Sequence, residues 1–371
     1  MKVPFIDIAR FEPGFLESWI DKVTTLSAAA QFIGGPEVAA LEDRLSLRSG
    51  AANVVSCANG TDALQLALRA LGVGPGDTVA IPNATFWATF EAVVNVGATP
   101  ITVDICLADG GMDLNALEDS LREERLKAVI AVHLYGWGAK HLRALRELCE
   151  RAGVALLEDG AQCFGAFLDD EPVLQGAHIA TTSFYPAKVL GAAGDAGAVF
   201  TRDAQLADTV RRLGNHGRTA HYGYGDVGWN SRLDTLQAAF LNLSLDKLDA
   251  RIASRRRAAD RYRNELPAFG IDVMAVPAGY TENGYCNVCL IENAERKAAV
   301  EARLRKRGVG FGNIYPGTMS SQPGARAYLK AHYGGGQAEL LCSQVLNLPL
   351  FPYITEAEIA YVLESIASVE V

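Results

Sequence analysis

The chain has 371 residues, 49% of them hydrophobic, and a formal net charge of −9 at pH 7. That length suits about two domains with a sizeable core. The acidic balance argues against duplex nucleic acid or an anionic membrane face as the main partner, because such binders present clustered positive charge.

The N-terminal residues reach an acid at Asp7 before any long apolar core, so they do not read as a signal peptide, and no apolar run is long enough to span a bilayer. Seven cysteines without regular spacing suit a reducing cytoplasm better than a disulfide framework. Residues 1–50 read as an arm and two helical stretches broken at Gly34-Gly35-Pro36. From Asn53 to Val132 apolar strands alternate with helical segments, the pattern of a mostly parallel sheet: Asn53–Cys57, Thr61–Leu71, Thr78–Ile81, Ala84–Val96, Ile101–Val103 and Lys127–Val132.

The first of these helices begins at Asn59-Gly60-Thr61-Asp62. Its free N–H groups, the dipole and the Thr61 hydroxyl suit a phosphate, although a helix capped by Thr61 or Asp62 is the commoner explanation of such a start. The glycines at 191, 194 and 197 lack the spacing of a dinucleotide fingerprint. Phe86 and Trp87 follow a strand and open a helix, where aromatic rings can support a flat ligand or simply pack. His133, after a buried strand, reads as a hydrogen-bonded structural residue. Glu158 and Asp159 close the next apolar strand, where a buried acid needs a cationic or hydrogen-bonding partner.

Lys188 closes a β-rich run ahead of a glycine-rich turn. An amine is nucleophilic only when uncharged, a form that apolar surroundings favour, and Phe184, Tyr185, Val189 and Leu190 flank it. After a helix at Asp203–Leu213, an irregular polar loop carries His216, Asn230 and Arg232. One long helix is expected from Asp234 toward Arg263, striped on two sides. Beyond Gly270 short strands and helices make a second, smaller α/β domain, ending in a helix striped by Ile359, Val362, Leu363 and Ile366. Cys286 and Cys289 lie in what reads as a strand, on opposite faces, so no metal site is expected there. We place the domains at 1–245, with the arm, and 246–371.

A phosphate-ready helix start, an aromatic pair, an acid, a serine and a lysine follow in the order that pyridoxal 5'-phosphate (PLP) requires. The segments Phe32-Ile33-Gly34-Gly35-Pro36, Asn59-Gly60-Thr61-Asp62, Val132-His133-Leu134-Tyr135-Gly136, Glu158-Asp159-Gly160-Ala161-Gln162, Ser183-Phe184-Tyr185-Pro186-Ala187-Lys188 and Asn230-Ser231-Arg232-Leu233-Asp234 resemble the DegT/StrS family of nucleotide-sugar aminotransferases. The resemblance implies a fold-type I, aspartate aminotransferase-like α/β fold with a mostly parallel mixed sheet, and a cytoplasmic homodimer with shared active sites. It implies that Lys188 bonds the cofactor, Asp159 faces the ring nitrogen, Gln162 meets the ring hydroxyl and Trp87 stacks on the ring. Gly60, Thr61 and Ser183 would hold the phosphate, with Asn230 reaching across from a second subunit. Tyr185, His216, Arg232 and Tyr315 are candidate substrate contacts.

The implied reaction carries an amino group from L-glutamate to a keto-sugar nucleotide, with a dTDP-linked 3-keto-6-deoxyhexose expected ahead of a 4-keto sugar. A PLP-binding regulator without amino transfer is the alternative. The sequence departs from the family's pattern at Gly160, at Val189 and across Met319-Ser320-Ser321-Gln322, where many members carry a histidine near the sugar nucleotide.

Overall fold

In the computed structural model, which describes residues 1–367, the alternation read between residues 53 and 132 becomes part of a single larger sheet. Its strands are β1 (Asn53–Cys57), β2 (Thr78–Pro82), β3 (Thr99–Val103), β4 (Leu126–Val132), β5 (Ala155–Asp159), β6 (Ile179–Ser183), β7 (Gly197–Thr201) and, from far down the chain, β8 (His332–Tyr333). They lie in the order β1-β7-β6-β5-β4-β2-β3-β8. Every pairing is parallel except the two that β7 makes, so β7 alone runs against the rest.

Parallel strands need both faces covered, and the alternation of side chains delivers this. Along β4, Ala128, Ile130 and Val132 enter one core while Val129 and Ala131 enter another. The helices that meet them are α2 (Pro36–Ser49), α3 (Gly60–Ala70), α4 (Trp87–Asn95), α5 (Leu114–Glu123), α6 (Leu142–Ala152) and α7 (Ala204–Gly214), while α1 (Phe15–Ala28) packs its Phe15 and Trp19 on Phe240. Leu64 and Ala67 of α3 and Phe90 of α4 pack in the first core, Leu117 of α5 and Leu145 of α6 in the second.

The single helix expected from Asp234 to Arg263 is instead two, α8 (Thr235–Leu245) and α9 (Leu248–Glu265), parted by a turn at Asp246 and Lys247. The two apolar stripes explain the break. Leu241 of α8 packs with Leu41 and Leu45 of α2, whereas Ala258, Ala259 and Tyr262 of α9 enter a different core. One straight rod cannot serve both. Helix α4 also begins later than the expected Ala84, because Ala84, Thr85 and Phe86 are spent on the turn out of β2.

The remaining helices are α10 (Ala294–Arg307), α11 (Gln337–Gln344) and α12 (Glu356–Ala367). They surround a small antiparallel sheet of Asp272–Val273, Cys289–Leu290 and Val345–Leu346. The α12 stripe Ile359, Val362, Leu363 and Ile366 is buried as expected. Val3 joins the same core and pairs with Val309 in a parallel bridge. Cys286 and Cys289 are both free and buried. Among the described residues no helix is long and apolar enough to cross a membrane.

Candidate active site

Because β1, β2, β4, β5 and β6 are parallel, their carboxyl ends share one edge of the sheet, and the antiparallel β7 starts there. The register sets both Cys57 and Ser183 beside Gly197. Asn59 then caps α3 by accepting a hydrogen bond from the Asp62 N–H at 2.7 Å. With Asn59 as cap, rather than Thr61 or Asp62, the Thr61 hydroxyl stays uncommitted, and the first N–H groups of the helix have no partner within it. The approach is close: a Cβ on Gly60 would stand 2.6 Å from the Ser183 Cβ, and one on Gly197 would stand 2.4 Å from the Asn59 carbonyl oxygen. The result is a cradle of backbone donors and two hydroxyls, suited to a phosphate.

Two strands away, Asp159 is buried. Its Oδ1 accepts from the Ala161 N–H at 3.0 Å, while Oδ2 makes no hydrogen bond among the described residues. Burial pushes this carboxyl above the ordinary aspartate range, opposed by the Ala161 N–H and by the charge of Lys188. Its neighbour Glu158 points the other way and is fully committed. Arg146 donates to it from Nε and Nη2 at 2.8 and 2.9 Å, and His133 Nε2 lies 3.0 Å from Oε2. The Ala139 N–H donates to His133 Nδ1, which makes Nε2 the protonated nitrogen and Glu158 its acceptor. His133 is therefore a structural residue, as its position suggested. Burial works to raise the Glu158 carboxyl, but His133 and Arg146 overcome it and hold it below the usual range.

Lys188 follows β6 and meets Tyr285, whose hydroxyl lies 3.3 Å from Nζ and whose ring centroid lies 5.0 Å away. Tyr285 is held in turn by Asn283, which accepts from the Tyr285 N–H and donates to the carbonyls of Gln162 and Phe164. Gln162 accepts from the Tyr135 N–H at 2.7 Å and donates to the Tyr315 hydroxyl at 2.6 Å. Trp87, half-buried at the start of α4, leans on Phe90 and on Gly324, and Phe86 beside it is exposed. The 313–323 segment is seated on Asn83, whose main-chain oxygen accepts from Met319 and whose side-chain oxygen accepts from Ser320. Tyr285, Asn283 and Tyr135 are parts of this site that sequence reasoning missed. No residue pattern around 283–285 marks them, since only packing against α9 brings them to the sheet edge.

Residues 16–367 match the model of the DegT/DnrJ/EryC1/StrS aminotransferase family. The chain belongs to this family. It is 37% identical to the UDP-2-acetamido-2-deoxy-3-oxo-D-glucuronate aminotransferase of Pseudomonas aeruginosa, over 99% of this chain and 100% of the other. It is 38% identical to the UDP-N-acetyl-3-dehydro-alpha-D-glucosamine 3-aminotransferase of Acidithiobacillus ferrooxidans, over 96% and 95%. A dTDP-3-amino-3,4,6-trideoxy-alpha-D-glucose transaminase of Streptomyces venezuelae is 32% identical over 98% and 95%. Among solved structures, a DegT DnrJ EryC1 StrS aminotransferase from Brucella abortus superposes with a TM-score of 0.91 at 36% identity, covering 98% of each chain. The ntda protein of Bacillus subtilis, with bound cofactor PMP, gives 0.88 at 29% identity over 98% and 84%.

Against this DegT-family frame, one subunit gathers Lys188, Asp159, Gln162, Trp87, Gly60, Thr61, Ser183 and Tyr315 at the sheet edge. Tyr185 is exposed on the rim, where its carbonyl accepts from the Lys188 N–H. The other expected contacts lie elsewhere in the subunit. Asn230 is exposed and pairs with Asn215 in an isolated bridge. His216 is exposed, at a φ of 62°. Arg232 donates to Asn215 Oδ1 and lines a cavity of about 170 Å³ with Glu42 and Arg211. Of the departures from the family pattern, Gly160 has a packing reason, because a Cβ there would meet Leu174 at 3.0 Å and the Thr181 oxygen at 3.1 Å.

Proposed function

We propose that this chain is a PLP-dependent aminotransferase that carries an amino group from L-glutamate to carbon 3 of a keto-sugar nucleotide. The observation that carries the reading is the convergence on one sheet edge of an amine, a buried carboxylate with a free oxygen and a cradle with no room for a Cβ. These residues fit the cofactor. Gly60, Thr61 and Ser183 would hold its phosphate, Asp159 Oδ2 its ring nitrogen, Trp87 one ring face, and Lys188 its aldehyde carbon. When bound, the cofactor supplies an electron sink for the substrate carbon that loses its proton.

The protein's own residues supply the rest. Asp159, buried with an uncommitted oxygen, would accept a hydrogen bond from a protonated ring nitrogen, and its negative charge would keep that nitrogen cationic. The Lys188 amine would move a proton at the substrate carbon. Tyr285 orients that amine. Gln162, pinned by Tyr135 and Tyr315, presents its amide toward the ring hydroxyl.

The higher identities to relatives named for UDP sugars favour a uridine-linked acceptor over the dTDP-linked one expected from sequence. A homodimer completes each site with Asn230 from the second copy, which explains why Asn230 is exposed in the isolated subunit. The test is the visible absorbance of the purified holoenzyme. L-glutamate is expected to bleach the yellow band, and a 3-keto UDP sugar to restore it. A band that no amino acid bleaches sinks the amino-transfer reading in favour of a regulator. Restoration by 4-keto or dTDP-linked sugars alone overturns the acceptor.

A further inference from the structure

A groove of about 440 Å³ runs between the N-terminal segment, from Asp7 to Trp19, and the loop that carries Lys188. Three arginines line it, and two are neutralised in place. Arg10 pairs with Asp7 and Glu358, and Arg251 grips Glu12 through two hydrogen bonds at 2.9 and 2.8 Å. Arg255 differs. It is 4% exposed and has no carboxylate partner among the described residues. Its Nη1 donates to the carbonyls of Gly284, Tyr285 and Leu350 at 3.2 to 3.5 Å. Its Nε is buried without a partner, and Nη2 makes no hydrogen bond among the described residues.

A buried guanidinium held only by carbonyl dipoles is undercompensated, and removing a charge from water is costly unless an opposite charge meets it. Burial lowers its pKa to about 10, which still leaves it cationic at neutral pH. A purely structural arginine would gain from a fixed acid, as Arg10 and Arg251 do. An arginine that must receive and release an anion in each cycle needs the position empty. Lys188 lines the same groove, so a molecule seated in it borders both residues.

We infer that Arg255 binds a substrate carboxylate in the Lys188 groove, through the Nη2 end left without an acceptor, and that this carboxylate is the amino donor's. The assignment of the carboxylate to the donor rests on the amino-transfer reading above. An α-amino acid carries amine and carboxylate in one small molecule, which matches a free guanidinium and Lys188 on one groove wall.

The test is calorimetric binding of glutarate, a non-reacting dicarboxylate, to the holoenzyme and to Arg255→Met and Arg255→Lys. Charge-assisted hydrogen bonds of this kind predict about 10- to 100-fold weaker binding in Arg255→Met, with partial recovery in Arg255→Lys. UDP-N-acetylglucosamine, which has no carboxylate, is expected to bind all three alike. A folded Arg255→Met that binds glutarate within twofold of the wild type overturns the inference. If Arg255→Met does not fold, the crystal structure of the wild-type holoenzyme with glutarate decides, since a carboxylate anywhere but on Arg255 overturns it. Weakening confined to UDP-glucuronate moves the carboxylate to the acceptor and overturns the donor assignment. A wild-type holoenzyme that binds glutarate through Arg255 but is bleached by no amino acid defeats the amino-transfer reading and leaves the carboxylate site standing.

Discussion

At the scale of single residues, adjacent acids on β5 have opposite fates because alternate side chains leave a strand on opposite faces. Burial raises the Asp159 carboxyl, so its ionised form weighs against the folded apo-protein. That cost is absent below the ordinary aspartate pKa of about 3.9 and grows as the pH climbs through the folded value. Asp159→Asn is therefore expected to raise the thermal midpoint of the apo-protein at pH 7 while lowering turnover on the order of 100-fold. Calorimetry and steady-state rates on one preparation check both. Glu158 has the reverse sign. Its depressed carboxyl contributes stability above the unfolded glutamate pKa of about 4.3, and that stability is lost as the pH falls through the folded value. Glu158→Gln, which strands Arg146, is expected to cost about 3–5 kcal/mol at pH 7 in urea unfolding, with the gap from wild type closing in acid. Asp159 was legible in sequence because it ends an apolar strand where an acid is out of place, and Lys188, in the turn beyond β6, only through the company of the motifs upstream. Tyr285 and Arg255 were not. Tyr285 adjoins a stretch that reads as a strand, Arg255 stands in the basic run Arg255-Arg256-Arg257, and only the fold reveals that Arg255 is buried.

At the scale of elements, β7 accounts for the cradle. An antiparallel strand between β1 and β6 brings its amino end to the edge where its neighbours finish, and Gly197 is the residue that lets the Asn59 turn lie against it. Gly197→Ala places a methyl 2.4 Å from a backbone oxygen that cannot yield cheaply. The expected cost is about 1–3 kcal/mol of stability together with weaker cofactor retention, read by denaturant unfolding and by absorbance after gel filtration. The parallel strands and their helices were readable because local periodicity dictates them. The break between α8 and α9 was not, because no glycine or proline marks it, and it arises from two cores competing for one amphipathic segment. The two-residue β8 was unreadable for a related reason, since a strand that short has no period.

At the scale of the molecule, exposed Ile6, Ile8, Leu16 and Ile20 give the arm and α1 an apolar surface that a second copy can cover. The proposed dimer makes a specific prediction. Lys188→Ala and Asn230→Asp are each expected to be nearly inactive alone. Mixed after reversible dissociation, they should recover about a quarter of wild-type turnover, since half the dimers are mixed and each carries one intact site. No recovery in a preparation shown to have exchanged subunits counts against Asn230 acting across the interface.

The place of β8 in the sheet has a consequence for how the protein is made. β3 is left an open edge until His332 and Tyr333 pair with it, and the Asp104 carboxylate after β3 waits for the N–H groups of Gly335, Gln337 and Ala338. Val3 likewise has its bridge partner only once Val309 is made. Synthesis at ~5–20 residues per second leaves that edge bare on the order of ten seconds or more while the chain between β3 and β8 is made. The nascent chain is thus most exposed to edge-to-edge association before residues 332–338 emerge, and truncation ahead of residue 332 is expected to yield aggregates rather than a smaller folded enzyme.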